Sequence, residues 1–239
     1  MKGRDDLFLR TTVDCALFAE KTAVLLKKNN ASSVAVLMDM TNPAFVLDWF
    51  THLENHFSGT LFPLKFDSRD QADWKLIIDE LLRPEPDAIF LLTEASMTGI
   101  ALQRLRDRGY HGPRIGTIWT QTPGLFKFAE SAATGFSIVT MIDPDNNRRE
   151  YLDFSRKMTE SFNRPANARS VRAYEIIMIL ADALSRCREI TTEELKKKLL
   201  AAQYHTLLGD VRFDRFGDVV RPVYEVVVQE GAFQTKGEI

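Results

Sequence analysis

The chain has 239 residues, 45% of them hydrophobic, so it can bury a sizeable core without staples. Its 31 basic side chains nearly balance 33 acidic ones, giving a formal charge of −2, so neither nucleic acid nor an acidic membrane is an expected partner. Cys15 and Cys187 stand far apart with no CxxC pair, which excludes a disulfide framework or a zinc ribbon as the organising device.

After the short lead MKGRDD, the stretch LFLRTT (7–12) reads as an apolar strand. Residues 13–28 are helix-forming and are stopped by Asn29 and Asn30. SSVAVLM (32–38) is a short β-branched run of the kind found in buried strands. Asn42 then suits an N-cap and Pro43 a first helical position, predicting a helix over 43–57 that ends before Gly59.

The same unit repeats. TLFPLKF (60–66) predicts a strand, 73–82 a helix and RPEP a turn; AIFLL (88–92) is the next strand, and a helix runs on to about residue 108. RIGTI (114–118), a helix near 124–133 and FSIVT (136–140) complete the series. Apolar strands alternating with helices of this length predict an α/β fold: a doubly wound parallel sheet with helices on both faces.

Beyond residue 140 the rhythm changes to consecutive helices over 148–162, 170–186 and 192–202. SVRAYEIIMILADAL carries Ile176, Ile177, Ile179, Leu180 and Leu184, more apolar surface than one exposed helix should show. DVRFDRFGDVV, turning at Phe216-Gly217-Asp218, and the alternating VYEVVVQEGAF read as hairpin ends.

The chemistry-bearing motifs are few. His52 and His56 in HLENH share a helix face at i and i+4, but Leu53 stands where a metallohydrolase places its glutamate base, so no metal is expected there. No glycine-rich phosphate loop and no GxSxG elbow follows any strand, which leaves neither cofactor nor hydrolase machinery, and an enzyme is not expected. No run of about 18 apolar residues could span a bilayer, and the N-terminus lacks the order of a secretory signal.

What remains are the loops at the carboxyl ends of the predicted parallel strands, where open α/β sheets bind ligands. They are DMTNP (39–43), TEAS (93–96) and WTQTP (119–123). Thr41, Asn42, Thr93, Glu94, Ser96, Trp119 and Thr120 supply hydroxyls, one carboxylate and an indole face. Such groups suit a small polar ligand, with a carboxylate at a helix start and an ammonium near Glu94. Each polar residue alone also fits a helix cap; the clustering of three loops on one edge favours a site.

Taken in order, LFLRTT, VAVLMD, Asp73-Trp74, PDAIFL, LQRLRDRGY, AESAATGFSIVT, AYE and GDVRFDRFGDV resemble the type 1 periplasmic binding proteins of the leucine/isoleucine/valine group, over nearly the whole chain. The resemblance implies two α/β lobes joined by three crossover strands, with a small ligand such as an amino acid or related carboxylate held in a cleft. On it, residues 1–141 and 222–239 form the second ligand-binding lobe and 143–221 a remnant of the first. Arg10, Thr11, Thr12, Val139 and Thr140 fall at the hinge crossovers. The chain is then expected to begin at the first crossover, as a truncated form, with 143–221 disordered, rearranged or covered by self-association with another chain.

The resemblance further implies a periplasmic or extracellular solute-binding component of an ABC importer, with a membrane permease as partner, or else a ligand-sensing domain coupled to a signalling partner. Pro43-Ala44 stands where the family commonly has Tyr-Gly; an aromatic of the family's second ligand loop falls near Glu94, and a carboxylate of its third near Ile118-Trp119. A ligand other than a branched aliphatic amino acid is therefore as well supported.

Overall fold

A computed structural model describes residues 4–239. By internal contact the chain forms two units: one holds the described residues up to Asp14 with Met141–Pro222, and the other Cys15–Thr140 with Val223–Ile239.

The elements run in the order α1 (Cys15–Lys28), β1 (Ser33–Asp39), α2 (Pro43–His56), β2 (Thr60–Phe66), α3 (Trp74–Leu82), β3 (Ala88–Leu92), α4 (Ala95–Asp107), β4 (Arg114–Thr117), α5 (Gly124–Ala129) and β5 (Ser137–Thr140). There follow α6 (Arg149–Phe162), α7 (Ala168–Ser185), α8 (Thr192–Leu200), β6 (Gln203–Thr206), β7 (Gly209–Phe213), β8 (Val219–Val220), β9 (Tyr224–Gln229) and β10 (Ala232–Glu238).

In the larger unit seven strands form one sheet in the order β10-β9-β5-β4-β3-β1-β2. The five strands from β1 to β5 are parallel, and the β9–β10 hairpin joins β5 antiparallel. Every residue of β3 is buried, as a central strand covered on both faces requires, whereas β2 at the edge tolerates Pro63.

Alternation along the strands sorts the core into two layers. Ala35, Leu37, Ile89 and Leu91 pack with Leu102 of α4 and Leu125 of α5. On the opposite face, Phe90 meets the buried Trp49 of α2, which stacks on Phe18 of α1 at 4.9 Å and 1° between planes. The β1–β3 pair is clamped at its other end. Asp87 Oδ2 accepts from the backbone N–H of Ser32 (2.9 Å) and Ser33 (2.8 Å) and from both hydroxyls (2.7 and 3.0 Å).

The smaller unit packs Ile179 of α7 with Tyr204, Val211 and Phe213 of the three-stranded sheet β6-β7-β8. Residues 143–221, for which disorder was one expectation, fold here into three helices and this sheet. Their apolar face nevertheless stays open to solvent: Ile177 is 62% and Phe162 66% exposed, and α6 buries no residue.

Two sequence expectations need correction. LFLRTT forms no strand; Arg10 alone makes a parallel bridge with Asp218, and its backbone N–H donates to Gly217 O at 2.8 Å. Gly217, at φ +86°, is required there, because a Cβ would stand 2.9 Å from Leu9 Cγ and 3.2 Å from Phe8 O. Strand β6 was not anticipated; it pairs antiparallel with β7 from Gln203 opposite Arg212 to Thr206 opposite Gly209.

Candidate ligand site

Strands β1, β3 and β4 are neighbours in the sheet, so their carboxyl ends bring the loops at 39–43, 93–96 and 118–123 to one edge. The order reverses here: β2 lies outside β1, and the chain then crosses back to β3 on the other side. Such a reversal opens a crevice between the two strands that diverge in opposite senses.

Asp39 closes β1 and is wholly buried. Its Oδ1 accepts from the Thr41 backbone N–H at 3.1 Å, and its Oδ2 from the Ser68 hydroxyl at 2.8 Å. This turn fixes Thr41, which is half-buried, and leaves Asn42 exposed. Asn42 occupies the N-cap position of α2 but its side chain makes no capping bond, so Pro43 at the first turn is what starts that helix.

After β3, Glu94 caps α4, accepting from the Met97 backbone N–H at 2.8 Å through Oε1. Its other oxygen has no partner among the described residues. Thr93 is fully buried, and its hydroxyl lies 2.6 Å from that of Thr98. Ser96 is half-buried at the first turn of α4, across from Thr122 and Gly124.

After β4, a single turn of 3₁₀ helix carries Trp119 and Thr120. Thr120 is buried and its hydroxyl donates to Thr117 O at 2.7 Å, so it braces the loop from within. Trp119 is half-buried and meets Phe45 of α2 edge to face, with centroids 5.6 Å apart.

Of the seven residues predicted from sequence, Thr41, Asn42, Glu94, Ser96 and Trp119 thus reach the surface of this edge, while Thr93 and Thr120 lie beneath it. Sequence reasoning missed Phe45, Asp39 and Ser68. An Asp closing an apolar run was a visible signal for the turn; the Phe45 contact was not visible, because it depends on how α2 leaves the sheet.

Of the residues predicted for a hinge, Val139 and Thr140 are buried in β5, where the Thr140 hydroxyl donates to Gln121 Oε1 at 2.7 Å. Arg10 Nε donates to Asp218 Oδ1 at 2.7 Å, and Thr11 and Thr12 are half-buried. Among the described residues no three His, Cys, Asp or Glu side chains stand together as metal ligands would. His52 lies 3.6 Å from Asp48 on an exposed helix face.

A family model described as periplasmic binding protein matches residues 63–233. The chain belongs to the periplasmic binding protein family. Among solved structures, this periplasmic binding protein is similar to a leucine-binding protein from Thermotoga maritima, at 21% identity and a TM-score of 0.89 over 100% of this chain and 69% of that one. It is similar to a branched-chain amino acid transporter substrate-binding protein from Streptococcus pneumoniae in complex with isoleucine, at 14% identity and a TM-score of 0.83 over 97% of this chain and 67% of that one. A solute-binding protein of an ABC transporter from R. palustris in complex with benzoate aligns at 14% identity and a TM-score of 0.86, over 96% of this chain and 64% of that one. The chain thus spans about two thirds of the length of these proteins. Comparison with curated protein sequences gave no match.

Proposed function

We propose that this chain takes part in solute capture for an ABC importer, holding a small amino acid or related carboxylate at the carboxyl edge of β1, β3 and β4. The observation that carries the reading is the convergence of three polar, helix-starting loops at the reversal of strand order, walled by Phe45 and Trp119. Backbone N–H groups at the start of α4, with the Ser96 and Thr41 hydroxyls, suit a carboxylate. The unpartnered oxygen of Glu94 and the indole of Trp119 suit an ammonium, by charge and by cation–π contact.

Two of the similar solved structures hold isoleucine and benzoate, carboxylates that differ in whether an amine is present. Glu94 favours the amine-bearing class here. The role is binding without catalysis, in a periplasmic or extracellular setting, with a membrane permease as the partner that reads the loaded form. Arg10, Thr11, Thr12, Val139 and Thr140 remain the proposed hinge set, since the chain passes from one unit to the other after Asp14, two residues beyond Thr12, and after Thr140.

A thermal-shift screen against amino acids and small carboxylates tests this, because a ligand that binds only the folded state raises the melting temperature. A shift with one chemical class supports the reading. A cooperative melt that no member of either class moves contradicts it.

A further inference from the structure

The smaller unit leaves one helix without cover. On α6, Glu150, Phe154, Lys157, Met158 and Phe162 follow the spacing of a single helical face, yet no residue of this helix is buried. That face lines a groove of about 490 Å³, with Tyr174 and Met178 of α7 across from it. Phe154 packs on Tyr174, ring centroids 4.7 Å apart, which sets α6 beside α7. From its other side α7 is held by the pair of Glu175 with Arg221 at 2.9 Å, both side chains buried, so Tyr174 and Met178 stay turned outward at 43% and 49% exposure.

The charges on this face specify what can cover it. Glu150 and Lys157 have no ion-pair or hydrogen-bond partner among the described residues, whereas Asp153 between them is paired with Arg149 and Arg156. Lys157 follows Glu150 by two helical turns, about 10 Å along the axis, so the unpaired charges are of opposite sign and flank Phe154. A two-fold axis perpendicular to α6 and passing near Phe154 reverses the helix. It lays Glu150 against the partner subunit's Lys157 and Lys157 against the partner subunit's Glu150, the self-complementarity that an isologous interface requires. Phe154, Tyr174 and Met178 of the two copies then close over the axis, and the paired charges fix the register. Among the described residues, no buried polar atom lacking a partner belongs to the groove, so nothing there marks a small-molecule site.

We propose that this chain forms a symmetric dimer through the α6–α7 face, with α6 of the two copies antiparallel.

The test is sedimentation velocity of the full chain at increasing concentration, alongside Glu150→Lys, Lys157→Glu and the variant carrying both changes. The unaltered chain is expected to pass from monomer to dimer. Either single change sets like charges together at both ends of the interface and should weaken the dimer roughly tenfold or more. The double change restores opposite charges across the axis and should bring dissociation back to near that of the unaltered chain. Should Glu150→Lys loosen the start of α6, Glu150→Gln replaces it and should weaken the dimer by roughly threefold. A chain that stays monomeric at every concentration would overturn the proposal and leave this face to a different polypeptide. A dimer indifferent to the single changes, or one that the double change does not restore, would overturn it as well and place the contact on another surface.

Discussion

The rings of Phe45 and Trp119 meet edge to face, 5.6 Å between centroids and 80° between planes. This contact ties the first turn of α2 to the loop after β4. Phe45 also stands 5.4 Å from the buried Trp49, so the wall of the candidate site is continuous with the core layer that α1 and α2 lay on the sheet.

Replacing Trp119 with Ala should therefore act mainly on binding. Losing one edge-to-face pair is expected to cost about 1 kcal/mol of stability, whereas affinity for an amine-bearing ligand should fall roughly tenfold. Calorimetric titration and urea unfolding of the same variant separate the two effects.

Glu94 has two roles that a pair of variants can divide. In Glu94→Gln the amide oxygen can still accept from the Met97 N–H, so α4 should stay capped while amine-bearing ligands are lost. In Glu94→Ala the cap goes too, at an expected cost of about 1 kcal/mol. Equal unfolding midpoints for the two variants would show that the cap contributes nothing.

Acid should weaken the larger unit through Asp87 and Asp67. Hydrogen bonds from Ser32, and then Ser33, hold the Asp87 carboxyl far below its usual value of 3.8. The bond from Arg69 lowers Asp67 to about 2. Both folded-state values lie below the unfolded one, so the unfolded chain binds more protons in acid. Their contribution is full above about pH 4 and is lost as pH falls toward 2 and below. Melting temperature against pH should fall less steeply in Asp87→Asn than in the unaltered chain.

In the smaller unit, Glu175→Ala would strand Arg221 as a buried charge. Breaking such a pair is expected to cost about 3–5 kcal/mol, read as a lower denaturant midpoint for the signals of α7 and β6.

Strands β1, β2, β3 and β5 and the helices between them were legible in the sequence because each carries its own periodicity and its own stop: Asn29-Asn30, Gly59, the RPEP turn. Strand β6 was not, since Gln203 and His205 alternate with Tyr204 and Thr206 over only four residues directly after a helix. Only pairing to β7 makes that stretch a strand. LFLRTT misled for the opposite reason: its composition is strand-like, but Arg10 finds a single bridge partner and no ladder. At the site, the loops could be read from strand ends, whereas the burial of Thr93 and Thr120 depends on packing that no local pattern encodes.

The most direct test of ligand capture at the β1, β3 and β4 edge is to follow backbone amide and indole N–H resonances while titrating the best amino acid or carboxylate from the thermal screen. Saturable shifts at Trp119 and across 39–43, 93–96 and 118–123, with one dissociation constant, are the expected result. Saturable shifts confined to the smaller unit, or none at these loops, would contradict it.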